Sequence, residues 1–392
     1  MKRKTGEYER SSVAGEEVSA FIPYALPPRD PPLELTGELA SLLARAEEQI
    51  RLLDLAGDLV PSIEWFVYAF VRKEAVLSAQ IEGTQATLMD LLEVEASGEE
   101  PTDADVEELC GYVSALSYAW DELGSDSGLP ISMRLLSETH RRLLRGARGA
   151  QKQPGEIRRS QNWIGGTRPG NATFVPPPPQ RLGDLLSQFE RSIHDESDLS
   201  PLVRIGLLHV QFETLHPYLD GNGRLGRLLI TLLLRHFQLL SQPLLYLSLF
   251  LKLHRQEYYR RLGAVRTDGD FEGWLEYFFE GVAVVAEEAV SAARRLHAIV
   301  AQSRARLMAR NDATVISIRL FELLPEHPIL TVNRVVHLLD CSRPAAAKAL
   351  RVLEAAEVLR PLDERKKNRS VVFKEYLDHL REGTELQVGG RR

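Results

Sequence analysis

His216-Pro217-Tyr218-Leu219-Asp220-Gly221-Asn222-Gly223-Arg224-Leu225-Gly226-Arg227 is the stretch on which the reading turns. It lies between two segments of helical periodicity, residues 202–215 and 222–239, so its second half opens a helix. Successive backbone N–H groups at a glycine-rich helix N-terminus form an anion site, reinforced by the helix dipole. Gly221 and Gly223 let the backbone approach a ligand closely. Arg224 and Arg227 share a helix face and can reach oxygens of one polyphosphate. Asp220 offers carboxylate oxygens of the kind Mg²⁺ takes when it arrives with phosphates. His216 stands at the loop entrance, where an ordinary pKa near neutrality suits a general base. Any one of these features also fits a plain glycine turn with a helix-capping Asp220, two surface arginines and a packed histidine. Their combination favours the anion site.

Outward from that loop the chain is mainly helical. Residues 1–35 are polar and then proline-rich, and predict an extended arm laid over the body. Helical periodicity fills much of residues 36–125, and the run 63–77 ends in Ser78-Ala79-Gln80-Ile81-Glu82-Gly83, with Gly83 placed as a helix terminator. Residues 126–310 hold the loop. Within them the segment 155–179, with its glycines, β-formers and central Arg168-Pro169-Gly170-Asn171, predicts a β-hairpin. After Asn311 three short helical runs precede two β-like runs, 358–362 and 370–373, in the order of a winged helix-turn-helix over 311–392.

The composition is that of a globular protein: 392 residues, 44% hydrophobic, 26% charged, net charge −7. The acidic balance speaks against a general nucleic-acid or anionic-membrane binder. Residues 311–382 carry 12 Lys/Arg against 11 Asp/Glu, far from the basic footprint of a typical DNA-binding module. The expected wing does hold Arg365, Lys366, Lys367 and Arg369, with Lys348 and Arg351 on the preceding helix. DNA therefore stays open as a partner behind protein contact, a second copy of the chain included. Cys110 and Cys341 lack a metal-like spacing and predict reduced core residues. The charged N-terminus has no signal-peptide core, and the apolar run 228–251 is interrupted by Arg235, His236, Gln238, Gln242 and Pro243. A cytoplasmic protein with no membrane span is the expectation.

The loop resembles the motif of the Fic family, histidine-proline-aromatic-x-aspartate-glycine-asparagine-glycine-arginine-x-x-arginine. It departs only in Tyr218, where phenylalanine is usual. The resemblance implies a Fic-type helical core with a β-hairpin flap, followed here by the winged-helix module. It implies transfer of AMP from ATP to a Ser, Thr or Tyr hydroxyl of a partner protein or of the chain itself. His216 would be the base, and Asp220 would hold Mg²⁺. Gly221, Asn222 and Gly223 would position the α-phosphate, and Arg224 and Arg227 would grip the distal phosphates. The Gly-Asn-Gly-Arg form resembles the AMP-transferring branch, whereas the related Doc toxins carry lysine at the position of Gly223.

Three further elements resemble family features. Ile164, Gly165, Gly166 and Thr167 would lie on the flap, bordering the nucleotide, while the flap edge pairs with an extended segment of the target protein. Ser78, Glu82 and Gly83 resemble the inhibitory helix of the class II arrangement, with Glu82 pairing Arg227 and displacing the γ-phosphate. Tyr258 and Tyr259 resemble a pair near the adenine, although adjacent aromatics in a helix commonly belong to the core. Transfer of another phosphate-linked group, removal of AMP by water, and a transcription regulator whose loop only senses ATP are the alternatives. A toxin–antitoxin role fits less well with an inhibitory motif in the same chain.

Overall fold

In the computed structural model the described residues are 3–13, 15–59, 62–146, 149–362 and 369–386. The chain opens with strands β1 (Gly6–Val13) and β2 (Glu16–Pro23), an eight-residue antiparallel ladder from Gly6↔Pro23 to Val13↔Glu16. The single extended arm expected there is instead a hairpin, folded back at Gly15, whose φ of +84° is one that glycine adopts without strain.

Helices then follow in order. They are α1 (Gly37–Leu59), α2 (Ile63–Ile81), α3 (Leu88–Ser97), α4 (Ala104–Gly124), α5 (Met133–Leu143), α6 (Pro179–His194), α7 (Pro201–Leu215) and α8 (Asn222–His236). After them come α9 (Ser248–Leu253), α10 (Arg255–Asp268) and the long α11 (Phe271–Met308). The last part alternates: α12 (Val315–Leu323), β3 (Ile329–Leu330), α13 (Val332–Leu339), α14 (Arg343–Ala355), β4 (Arg360–Pro361), β5 (Val371–Val372) and α15 (Lys374–Leu380). Here the three two-residue strands form one antiparallel sheet in the order β3-β5-β4. The basic residues Arg365, Lys366 and Lys367 expected on a wing lie outside the described residues.

Local chemistry sets the helix starts. Thr87 and Asp90 form a reciprocal capping box on α3, Asp103 accepts from the first amides of α4, and Ser132 accepts from Leu135 N–H on α5. Pro201 occupies the first turn of α7, where its missing N–H costs nothing. Two helices matter most for the site. On α7 Leu202, Val203, Ile205, Leu207, Leu208, Val210, Phe212 and Leu215 are all buried, and α8 is buried along Leu225, Leu228, Leu229, Ile230, Leu232, Leu233 and Leu234. Both pass through the interior of one continuous apolar core that also takes in α1, α2 and α11. The connection between them is therefore a short turn anchored at both ends by packing, a rigid platform for chemistry. Among the described residues no helix is long and apolar enough to cross a membrane.

Segment 155–179 departs from the expected hairpin. Its pairing is reduced to one antiparallel bridge, Ile164↔Phe174, closed by the single 3₁₀ turn Pro169–Asn171. Arg168-Pro169 starts that turn and Asn171 ties it off, accepting from the N–H groups of Thr167 (3.0 Å) and Arg168 (2.9 Å). Strand β2 supplies the missing partner. Phe21 N–H donates to the Val175 carbonyl (2.9 Å), and Val18, Ala20 and Val175 form a small apolar cluster of their own. Glu16 grips the turn from outside, pairing with Arg168 (2.7 Å) and accepting from Gly170 N–H (3.0 Å).

Candidate active site

α7 ends at Leu215, and His216 takes the left-handed conformation (φ +47°) that turns the chain out of the helix. For a non-glycine residue that conformation carries a cost, and its persistence at a candidate base means the surroundings enforce it. Arg158 supplies much of that enforcement. Its guanidinium is fully buried, among the described residues without a carboxylate partner, and donates instead to main-chain carbonyls: His216 (2.9 Å), Pro177 (2.5 Å), Ser160 (3.3 Å) and Leu215 (3.5 Å). Its own N–H donates to the Pro217 carbonyl (3.0 Å). Burial pushes the Arg158 pKa down to about 10, still far above neutrality, so the cation persists. Burial, and the nearby Arg158 charge after it, push the His216 imidazole down to about 4. His216 is neutral at pH 7 and able to accept a proton.

The loop after His216 is braced from within. Asn222 accepts from Tyr218 N–H (2.9 Å) and donates to the Tyr218 carbonyl (2.9 Å). Its buried side chain is thus spent on loop geometry. His140, on α5, stacks on Tyr218 with ring centres 3.9 Å apart. It accepts from Gly155 N–H on Nδ1 (2.8 Å) and donates from Nε2 to the Asp220 carbonyl (2.9 Å). Burial pushes its pKa down to about 4, which keeps that tautomer neutral. The Tyr218 hydroxyl finds its partner in Ser137 (3.0 Å).

Gly221, at φ +73°, caps α8 in the left-handed region. The first intrahelical bond runs from Leu225 N–H to the Gly221 carbonyl (3.0 Å), so the amides of Asn222, Gly223 and Arg224 point out of the helix end. Beside them Asp220 is exposed. Its Oδ1 accepts from Gly221 N–H (2.7 Å) and lies 3.9 Å from Arg224 Nη2. Among the described residues no cluster of three or more His, Cys, Asp or Glu could hold a metal. A lone exposed carboxylate fits a Mg²⁺ ion that brings phosphate oxygens with it, and does not make a resident metal cage.

Both arginines are already engaged. Arg224, nearly buried, pairs with Glu108 of α4 (2.6 Å). Arg227, buried, donates to Ser78 Oγ (2.9 Å), to the Ser78 carbonyl (3.0 Å) and to Glu82 Oε1 (2.7 Å). Ser78 and Glu82 share one face of α2, and that face meets Arg227. Glu82 caps α2, and Gly83 follows at φ +100°. Burial opposes ionisation of Glu82, but the Arg227 guanidinium outweighs it and holds the carboxyl below its usual range. A Cβ added at Gly223 would stand 2.4 Å from Glu82 Oε1. The glutamate therefore lies directly against the glycine amides at the start of α8.

The aromatic pair splits. Tyr258 is core, its hydroxyl donating to His209 Nε2 (2.8 Å) while His209 Nδ1 donates to the Gly226 carbonyl (2.9 Å). Tyr259 is 42% exposed and borders a cleft of 620 Å³ between β2, residues 169–175 and α10. Arg266 lines the same cleft, stacked over Phe174 at 4.0 Å. Of the residues expected on a flap, Gly165, Gly166 and Thr167 are exposed, with positive φ at both glycines, and Thr167 is spent on the Asn171 turn. Besides Arg158, Asn162 ties the same segment to the loop, donating to the Tyr218 carbonyl (3.1 Å).

Residues 40–121 match the Fic/DOC family N-terminal model and residues 130–234 match the Fic/DOC family model. Across these residues the chain is assigned to the Fic/DOC family. Two curated relatives, both called protein adenylyltransferase Fic, come from Drosophila yakuba (31% identical over 206 residues) and Drosophila persimilis (30% over 244). They cover 51% and 59% of this chain, which spans only 38% and 44% of their lengths. Among solved structures, a Fic family protein from Desulfovibrio desulfuricans aligns with a TM-score of 0.55 at 20% identity. That alignment covers 92% of this chain and 99% of that one. A Fic domain containing signaling protein from Bacteroides thetaiotaomicron gives 0.51 at 19%, covering 64% and 97%. These two likenesses show the fold.

Arg158, His140 and Glu108 escaped the sequence reading. Arg158 stands in a segment read for its turn, and His140 and Glu108 in ordinary helical patterns. None has a local signal, because each acts on the loop from 58 or more residues away or, for Glu108, across an interhelical pair.

Proposed function

We propose that this Fic-family chain transfers AMP from ATP to a Ser, Thr or Tyr hydroxyl, on a partner protein and on itself, and that Glu82 restrains it. The observation that carries this is a neutral His216 at the end of α7, one short turn away from the outward amides of α8, with Arg224 and Arg227 on that helix's first turns. The names of the curated relatives support the same activity.

In this reading the target oxygen attacks the α-phosphorus, its proton passes to His216, and the bond to the bridging oxygen breaks, releasing pyrophosphate. The amides of Asn222, Gly223 and Arg224 hold the α-phosphate oxygens as charge develops, and the arginines orient the departing phosphates. Mg²⁺, held by Asp220 when it arrives with ATP, would neutralise phosphate charge. Tyr259, exposed beside a cleft, would meet the adenine, and Tyr258 would support it from the core.

Glu82 takes the arginine that a γ-phosphate needs and crowds the glycine amides, so ATP meets a carboxylate where its own charge should sit. The C-terminal unit of α12–α15 and its sheet is proposed as a winged-helix module for protein contact, since its charge is nearly balanced.

The test is incubation with α-labelled ATP and Mg²⁺. Label should appear strongly on Glu82→Gly protein, weakly on the unaltered chain and not at all on His216→Ala. Equal labelling of the first two would remove the brake from the scheme. No label on any of them, with ATP still bound, would favour a nucleotide-sensing regulator.

A further inference from the structure

Glu82 is held from two sides. Arg227, on α8, holds it by an ion pair (2.7 Å), and a second set of contacts holds the last turn of α2 from residues 383–385. Lys252, on α9, is buried, and among the described residues no carboxylate pairs with its ammonium group. It donates instead to Gln80 Oε1 (2.6 Å) and to the carbonyls of Gly383 (3.1 Å) and Glu385 (2.8 Å). Gln80 completes the ring, its amide donating to the carbonyls of Thr384 (2.9 Å) and Ala86 (3.2 Å). Thr384 is itself buried and anchored to the Arg381 carbonyl (2.7 Å).

Gln80 stands two residues before Glu82, and its carbonyl accepts from Gly83 N–H (3.1 Å). The side chain that meets residue 384 therefore belongs to the turn that presents Glu82. A second polar route runs in parallel. Glu382 approaches Arg295 (3.9 Å), Arg295 approaches Glu288 (3.7 Å), and Glu288 approaches Lys73 (4.0 Å), a buried residue of α2.

Geometry of this kind couples two segments energetically. A buried ammonium is tolerated only while its hydrogen bonds are filled. Two of the three acceptors around Lys252 come from residues 383 and 385, and so exist only while that segment is docked. With the segment displaced, Lys252 keeps one acceptor, the Gln80 amide loses Thr384, and water must enter to solvate both. The last turn of α2 then loses its outer support.

We infer that residues 383–385 latch the inhibitory turn of α2 through Lys252 and Gln80, so that displacing the chain's C-terminal segment frees Glu82 from Arg227. Lys252 and Gln80 are thereby positioning residues for the brake. This rests on reading Glu82 as that brake. The segment follows α15 directly, so a protein that engages the C-terminal helices and pulls on α15 acts on the site without touching the nucleotide.

The test is a double-mutant cycle in the full chain, read by self-labelling from α-labelled ATP: unaltered, Lys252→Met, Glu82→Gly, and both together. Lys252→Met should raise labelling of the unaltered chain roughly tenfold, within the usual range of coupling between sites. It should leave the Glu82→Gly chain unchanged within about twofold, because there the latch has nothing left to hold. Gln80→Leu, which keeps the lysine charge, should do the same. Both variants should also speed amide exchange at residues 82–84, read by mass spectrometry. A Lys252→Met chain that labels no faster than the unaltered one, while Glu82→Gly does, overturns the latch and leaves the brake standing. So does a loss of labelling common to both backgrounds, which marks a merely structural lysine. If Glu82→Gly itself fails to raise labelling, the brake falls and the latch falls with it.

Discussion

His216 lies at the end of a buried helix, in a left-handed conformation, with a buried arginine bonded to its own carbonyl. Burial of the imidazole, rather than a neighbouring carboxylate, sets its protonation state. The pKa is depressed to about 4, burial first and Arg158 second. The neutral ring therefore persists throughout the range where an ordinary histidine titrates, near 6.5. In protein labelled with ¹³C-histidine, the resonance lost in His216→Ala should show no midpoint between pH 5.5 and 8. A midpoint near 6.5 would mean a solvated ring and would undo the argument that burial prepares it as a base. The consequence for chemistry is specific. In the proposed transfer, a base with so low a pKa takes a proton only transiently, from a hydroxyl already losing it to bond formation at phosphorus. Positioning by Arg158 and by the α8 amides then has to supply most of the rate.

At the scale of elements, α10 shows how one helix faces both core and cleft. Tyr258 and Tyr259 are neighbours, so they point to different faces, one into the core and one beside the cleft. Tyr258→Phe removes the hydrogen bond to His209, a buried pair, at a cost of about 1–3 kcal/mol in unfolding free energy. It should leave the KM for ATP within twofold. Tyr259→Ala exposes no new core and should do the reverse, raising that KM several-fold with little change in Tm. Equal effects of the two on KM would mean that the pair works as one surface.

This division marks the limit of what the residues alone disclose. The twelve-residue loop was legible because its chemistry needs its glycines, histidine and arginines within four helical turns. The face shared by Ser78 and Glu82 was legible from their spacing. The bracing of Tyr218 by Asn222 was not legible, because nothing local distinguishes an amide that meets phosphate from one that holds a loop. The N-terminal hairpin was missed because its charges and the prolines that follow it mask the strand pattern, and its partner at Val175 lies over 150 residues away. The flap was overcalled for the same reason: its pairing is completed by β2, not within itself.

Across the whole molecule the buried titratable groups fall into two opposed sets, and they shape stability against pH. His140 and His216 are held down to about 4 and His209 to about 3, in each case by burial above all. Their neutral forms favour the fold above the unfolded value, and that contribution is lost as pH falls through about 4. Glu74 on α2 and Glu213 on α7 are pushed up to about 7, again by burial, with Arg227 and the Ser248 hydrogen bonds opposing only part of it. Their protonated forms favour the fold below about 4.5, and that contribution is lost as pH rises through about 7. Stability should therefore fall on both sides of a mildly acidic optimum.

Glu213 allows a clean test, because its Oε1 is buried without a hydrogen-bond partner and a Cβ at Gly226 would lie 2.3 Å from that atom. Glutamine keeps the shape and abolishes the titration. Glu213→Gln should match the unaltered chain in Tm near pH 4.5, gain on it as pH rises, and level off above pH 7. The ceiling is about 3 kcal/mol, the cost of ionising a carboxyl whose pKa the fold has raised from 4.5 to about 7. A constant difference across that range would show that Glu213 is solvated or paired in solution. The pH-dependent gain would show that α7, the helix leading into His216, carries a carboxylate the fold tolerates only beside Arg227 and when mostly protonated.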